Sequence, residues 1–553
     1  MKKAKITAIA ILVVIFGLII FFFTPNLNPL YSDGLALWAF AITTVVAVLW
    51  LIGKAGEGNF SNVFTADFKG KKAEQKIRFT KRGRVYFVVA AAPWVILIVV
   101  NIFSSVIFHV DAYREQMPQP ESRKFTSDVQ PMDVTQLPIV DYDLASLLAD
   151  KMLGEKPSLG SQVTLGTPTI EKVNGKLVWV VPLLDSGFFK WFSNLGGTPG
   201  YIMVSATNPR DVTYVDKYPI KYQPNAYLLD NLKRHVRLAG SSFTGITDYS
   251  FELDDTGKPF WVVTTYKNIA GFSLPEADGV IVVDAGSGAT TKYSMSNVPS
   301  WIDRVQPTDY ISTQLNNRGQ YVHGIFNFSN KDKFQTSDGY AIVYNNGKCY
   351  YFTGLTSVGS DESATGFVLV DMVTKKPYYY QVSGATEYAA QQSAEGKVQN
   401  LKYVASFPLI TNVDGEPTYF MTLKDNAGLI KQYAFVSVKD YTTVGTGETI
   451  QDALDDFDRN MRSSTGGSVI GTGSNRSQLE GTVVRIASED QAGTTIYKFT
   501  LSEQPGVIFT ATYDISEELA LTKEGDKVKI TYDKSTKSVI PIATFDNENF
   551  TLK

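Results

Sequence analysis

Three histidines, His109, His235 and His323, and one cysteine, Cys349, are the chain's whole stock of soft ligands and neutral-pH bases. They lie far apart, with no Glu or Cys at ligand spacing, which excludes a zinc hydrolase built on a helical His pair. No G-x-S-x-G elbow occurs, and Cys349 sits inside the strand-like "GKCYYF", where a buried inert thiol is expected rather than a nucleophile. "GSGATTK" at 286–292 has the glycines of a phosphate loop but not its G-K-[ST] ending, and it lies between strands, so it reads as a turn. "GTGET" at 445–449 reads as a turn that caps a helix, with Thr446 or Thr449 accepting from backbone N–H groups. The acid pairs Asp254–Asp255 and Asp361–Glu362 lack the D-x-D-x-D-G register of a calcium loop and read as solvated turns. Trp179, Trp261 and Trp301, in or beside strands, are expected to be packing residues. The sequence thus predicts no catalytic constellation, no metal site and no cofactor.

One stretch does stand out. "SGFFKWFSNLG" at 186–196 concentrates aromatic side chains between two strand-like segments, "KLVWVVPLL" and "GYIMVSA". Phe188, Phe189, Trp191 and Phe192 are the candidate contact surface, for a partner subunit or for the lipid interface. The alternative is that the four rings fold back as a lid over their own sheet.

The elements that must position these residues begin in a membrane. A chain of 553 residues exceeds the size of one core, so several units are expected. Residues 6–23 form an uncharged apolar run of 18, close to the minimum for a hydrocarbon core about 30 Å thick. No A-x-A cleavage site follows, and further spans come at about 35–53 and 85–108, so retention as an anchor is expected rather than removal as a signal peptide. The connection 24–34 carries Asp33 and no base, whereas 54–84 carries nine Lys and Arg residues. By the positive-inside rule the N-terminus and this basic loop are cytoplasmic, and everything after Val110 is outside. Residues 1–110 hold 12 bases and 4 acids and the rest hold 40 and 51, net charges of +8 and −11. The acidic outer part argues against nucleic acid as its partner.

Residues 111–138, polar and rich in proline, read as a stalk. "DYDLASLLADKMLG" follows as a helix with Leu144, Leu147, Leu148 and Met152 on its apolar stripe. Four places then pair a Gly turn and an aromatic-rich strand with a second strand, led by Gly175, Gly257, Gly347 and Gly415. They predict a first pair of β modules at 139–310 and a second at 311–462. A helix with Ala453, Leu454 and Phe457 inward precedes a Gly/Ser linker at 463–477, and 478–553 gives five strand-like segments that suggest a small OB-like β-barrel.

The sequence "GKPFWVV" followed by "VVDAGSG" resembles extracytoplasmic modules of the PepSY family, whose second strand ends in a V-D-x-x-T-G turn. Val283, Asp284 and Gly288 match, with Ser287 in place of Thr; "LVDMVTKKP" keeps Asp371 and Thr374 but has Lys in place of Gly. The resemblance implies binding or restraint of another exported protein, proteases among them, and assigns no functional residue.

The fold class expected is therefore a membrane-anchored multidomain protein: three N-terminal transmembrane helices, α+β or mostly-β extracytoplasmic repeats, and the barrel. The function expected is a non-enzymatic binding or scaffold protein of the bacterial cell envelope, in the plasma membrane. Its partners would be the lipid bilayer and another envelope protein or wall polymer, with homo-oligomerisation left open. A regulator of an exported protease and an envelope enzyme with an unrecognised site are the alternatives.

Overall fold

The computed structural model describes residues 2–56, 81–129, 132–358, 363–464, 476–491, 494–533 and 538–549. Most of the basic loop 54–84, the Asp361–Glu362 pair and most of the Gly/Ser segment 463–477 lie outside the described residues. The chain divides into two compact units, Met1–Ser464 and Thr465–Lys553.

Three apolar helices near the N-terminus fit a membrane anchor: α1 (Lys2–Phe23), α2 (Ser32–Gly56) and α3 (Lys81–Phe103). Inside this group the Trp94 indole donates to Thr43 Oγ1 at 2.9 Å, and Phe16 packs against Trp38 at 5.8 Å between ring centroids. The third helix ends at Phe103, short of the expected 108. Ser104 Oγ accepts from the Phe272 amide at 2.9 Å, and a separate helix, Val106–Glu115, begins after Ser105. Apolar patterning runs through this break because Ile107 and Phe108 continue it on the surface.

Beyond the helices the described residues of the first unit form four sheets, each built on an antiparallel run of four consecutive strands. In order they are Thr169–Val173 to Val212–Val215, Gly245–Leu253 to Thr290–Ser294, Ala341–Asn345 to Pro377–Tyr380, and Leu409–Val413 to Val444–Gly447. The four leading glycines all close the first hairpin with φ between +76° and +88°, the left-handed region that glycine enters without steric cost.

The sheets pack in succession and close on themselves. Val178 and Val180 of the first sheet meet Phe251, Trp261 and Val263 of the second. The other face of the second, Val262, Val280 and Val282, packs on Ile302 and Val305, and Val305 N and Gln306 N then bond to Met372 O of the third. Phe352 and Phe367 of the third share a core with Tyr419 and Met421 of the fourth. Phe420 and Phe435 of the fourth return to Val181, Leu183 and Ile202 of the first. Each such fully buried side chain contributes roughly 1.5–3 kcal/mol. Alternation at period two is what lets one strand feed two interfaces, and the closed circuit is a four-bladed, propeller-like ring. The sheets are not segregated into two pairs, since the fourth shares one core with the third and another with the first.

Helices wedge between the sheets. Tyr142–Gly154 is capped by Asp141, whose carboxylate accepts from Leu144 N at 3.0 Å. Its buried residues are Leu144, Ala145, Ala149 and Leu153, a stripe rotated from the expected one, because the helix lies between the first and fourth sheets and turns small residues to the close contact. Ala453 and Phe457 point inward as expected, and Thr449 Oγ1 caps their helix by accepting from Asp452 N at 3.1 Å. The expected stalk is corrected in part: Glu121–Arg123 adds as a parallel strand to Pro377–Tyr380, and Phe125 is buried in the core of the third and fourth sheets. Three polar residues carry no strand pattern of their own, so this pairing is a tertiary effect.

The second unit contains a closed five-stranded barrel. In chain order its strands are Arg476–Gln491, Thr494–Leu501, Ile508–Thr512, Lys527–Asp533 and Val539–Asn547, paired 1-2-3-5-4 and back to 1. The short helical turn expected between the third and fourth strands is present at Glu517–Leu521.

Candidate functional site

Two features of the first unit bring chemistry together. One lies where the first strands of the sheets converge. Glu171, on the first sheet's leading strand, accepts from Leu253 N of the second at 2.8 Å. Glu252 accepts from Asp303 N at 3.0 Å, and Asp303 in turn accepts from the Tyr344 hydroxyl of the third sheet at 2.8 Å. Arg304 donates from Nη2 to Ile170 O at 2.8 Å. The positive charge of Arg304 acts on all three carboxyl groups from nearby, favouring their ionised forms against the burial that opposes it. Burial, reinforced by Asp303, pushes Glu252 up to about 8; burial also raises Glu171 well above the carboxylate range and raises Asp303. Among the described residues, the buried Glu171 Oε1, Glu252 Oε1 and Arg304 Nε find no hydrogen-bond partner. Cys349 is buried in the same region, and burial pushes its thiol up to about 12, which fits an inert thiol.

Beside this junction lies a cleft of about 360 Å³, lined from three of the four sheets and from the segment before Pro138. Lys172, Tyr344, Asn345, Asn346 and Asn412 give it a polar lining, and Gly175 and Gly347 bring hairpin turns to its edge. Lys172 and Tyr344 belong to both the cleft and the junction, whereas Glu171 and Glu252 do not line the cleft. Among the described residues no group of three His, Cys, Asp or Glu side chains is arranged to hold a metal ion. Sequence reasoning missed the junction, because neither "TIEKV" around Glu171 nor "GITDYSFEL" around Glu252 marks its acid as one that will be buried.

The other feature is the aromatic segment. Phe188–Ser193 forms a short helix after Gly187, whose φ of +95° turns the chain out of the strand Lys176–Asp185. The four candidate residues divide. Trp191 is 5% exposed and its indole donates to Asp230 at 3.2 Å, so this ring alone folds back. Phe189 and Phe192 are 83% and 62% exposed, and Phe188 is also exposed, its ring 5.2 Å from Tyr227. Under the helix, Asp185 is buried and, among the described residues, neither of its carboxylate oxygens has a hydrogen-bond partner; burial and then Asp230 raise it to about 6.

The segment is continuous with the helix ends. Arg234 donates from Nε to Phe21 O in the last turn of α1 at 2.6 Å, its guanidinium lies 4.6 Å over the Phe21 ring, and Nη1 donates to Leu228 O. A basic side chain at a helix C-terminus satisfies end carbonyls and complements the dipole. Nearby, Leu27 N donates to Ser242 O at 2.8 Å and the Tyr31 hydroxyl to Tyr266 O at 2.7 Å. Two glycines permit this seating: a Cβ on Gly271 would collide with Ser104 Oγ, and one on Gly245 would lie 2.7 Å from the Tyr31 ring.

His235 bonds to Gly288 O at 2.7 Å, His323 to Asp332 at 2.8 Å, and His109 lies in the helix after α3. Trp261 is buried, and the Trp179 indole donates to Val140 O at 2.7 Å. Asp284 and Asp371 form equivalent turns, each accepting from the backbone amides two and three residues ahead at 2.8–3.0 Å.

No family model matches the chain, and no curated protein does. Among solved structures it is similar to a levansucrase mutant of B. megaterium, at 9% identity over 75% of this chain and 97% of that one, with a TM-score of 0.17. It is also similar to an endo-1,4-beta-xylanase of Bacteroides thetaiotaomicron, at 11% identity over 52% and 76%, TM-score 0.16. An alpha-L-arabinofuranosidase of Lactobacillus brevis follows at 12% identity over 49% and 70%, TM-score 0.15. Likeness this slight carries no argument about fold or activity.

Proposed function

We propose that the chain is a non-enzymatic, membrane-anchored protein of the bacterial cell envelope whose ring of sheets lies outside the cytoplasm and binds or scaffolds another envelope protein or a wall polymer. The observation that carries this reading is the seating of the ring directly on the ends of α1 and α3 and on the 24–31 connection, which holds any ligand of the ring at a fixed, short distance from the membrane. That connection carries no base, whereas 54–84 carries nine, which supports the external side for the ring. The cleft with its amides, tyrosine and lysine supports a polar ligand such as a segment of wall polymer. The 1-2-3-5-4 strand order supports an OB-like barrel, a fold that takes up sugars as well as oligonucleotides.

Regulation of an exported protease is a second reading, favoured by the paired Asp284 and Asp371 turns of PepSY type. Photo-crosslinkers placed at Asn345 and Asn412 in living cells, followed by mass spectrometry, test the proposal. A discrete envelope protein or a muropeptide adduct is expected; a protease whose rate the chain alters supports the second reading. Adducts with nothing but lipid would contradict both. Hydrolysis by the purified chain that one substitution abolishes would overturn the non-enzymatic part.

A further inference from the structure

The exposed apolar side chains beside α1 form one shelf. Phe189 and Phe192 lie on the aromatic helix, Leu228 and Leu229 on the turn that carries Tyr227, and Leu238 and Phe243 on the segment that bonds to the 24–31 connection. Leu229, Leu238 and Phe243 are each about 60% exposed, at 59%, 62% and 59%. Soluble surfaces seldom leave so many large apolar groups contiguous.

Its height is set by contacts with α1. Arg234 holds Phe21 O and Leu228 O with one guanidinium, so Leu228 stands level with the last turn of the helix. Phe21 is two residues from the helix end, roughly 3 Å along the axis at 1.5 Å rise per residue. Asn28 Nδ2 donates to Phe243 O at 3.0 Å, which fixes the other end of the shelf to the connection that follows α1. Tyr227 joins the Leu228–Leu229 turn to the aromatic helix, with its ring 5.2 Å from Phe188 and 5.7 Å from Trp191. Lys190 on the aromatic helix and Lys233 on the intervening helix Leu232–Val236 are exposed, where ammonium groups can meet lipid phosphates while aromatic rings sit at headgroup level.

We infer that this shelf is a membrane-docking surface: Phe189, Phe192, Leu228, Leu229, Leu238 and Phe243 insert into the headgroup and upper acyl region of the leaflet in which α1 ends. The occupant is phospholipid, chosen over a protein partner because the shelf continues the end of a membrane-spanning helix. The ring is thereby held by the bilayer surface as well as by its covalent anchor, and its tilt is fixed.

The inference rests on the reading of α1–α3 as membrane spans, and the test separates the two. The full chain, with Cys349→Ala, is placed as single copies in nanodiscs of phosphatidylethanolamine and phosphatidylglycerol. Nitroxide labels go on Phe189→Cys, Leu229→Cys and, in α3, Ile96→Cys. Collision rates with oxygen, which concentrates in lipid, are compared with those of a water-soluble nickel chelate. Oxygen collisions should exceed nickel collisions severalfold at 189 and 229, and by more at 96. Dominant nickel collisions at 189 and 229, with 96 still in lipid, overturn the docking surface alone; the same result at 96 overturns the membrane spans. Low collision rates with both reagents at 189 and 229 would mean a protein cover and would also overturn the inference. The result should persist when phosphatidylglycerol is replaced by phosphatidylcholine if the apolar rings rather than the lysines dominate.

Discussion

Two regions of the ring reverse the ordinary placement of polar and apolar groups. At the junction of the leading strands, Glu171, Glu252, Asp303 and Arg304 are withdrawn from water inside the circuit of sheets. On the rim beside α1, phenylalanines and leucines stand exposed. The first arrangement costs desolvation energy and returns geometry, because one guanidinium and a few backbone amides tie three sheets together at one point. The second costs exposure in water and is stabilised when lipid covers it. If lipid covers the rim as proposed, burial in this chain has to be judged against two solvents, since the rim adjoins the end of an apolar helix long enough to span a bilayer.

Substitutions sharpen the contrast. Arg304→Met removes the donor to Ile170 O and the cation that acts on all three buried carboxyls, and should destabilise the ring by about 1–3 kcal/mol, the usual cost of leaving a buried polar group without its partner. Thermal unfolding of the detergent-solubilised chain should show the loss to be greater at pH 8 than at pH 5, because protonation relieves the carboxyls. Trp191→Ala removes the one buried ring of the aromatic helix and should cost about 3 kcal/mol. Glu252→Gln tests the junction by its pH dependence. The folded group holds its proton up to about 8, whereas the unfolded one releases it near 4.3. The folded state therefore binds more protons across that interval, and stability falls as pH rises through it. The glutamine variant should resemble the parent near pH 4.5 and exceed it by at least about 1 kcal/mol at pH 8. Phe189→Ser, by contrast, should change stability in detergent by no more than about 0.5 kcal/mol. A large loss there would make the exposed phenylalanine part of the fold and erase the distinction between rim and core.

Much of this architecture is legible in residue patterns. Uncharged apolar runs yield the three helices, and the glycine turns locate the first hairpin of every sheet. Closure of the ring is not legible, because no single strand reveals which sheet its second face will meet. Val180 and Val181 are neighbours in sequence yet belong to different interfaces. Glu121–Arg123 joins a sheet through pairing that only the tertiary fold supplies. For the site, the aromatic stretch is conspicuous in sequence, but its division into one anchor and exposed rings depends on Asp230, 39 residues away from Trp191. The buried junction escapes notice because Glu171, Glu252 and Asp303 come together from separate elements.

The proposed function requires the ring to stand on the external face of the membrane, on the side of the 24–31 connection. Cysteine accessibility in intact cells tests it most directly, with a membrane-impermeant maleimide applied to Asp255→Cys, in an exposed turn of the ring, and to Lys72→Cys, in the basic segment. Labelling of the Asp255 variant in intact cells, and of the Lys72 variant only after permeabilisation, is the predicted result. Labelling of the Lys72 variant in intact cells with the Asp255 variant protected would contradict the account, since the ring and the helix ends that carry it would then face the cytoplasm.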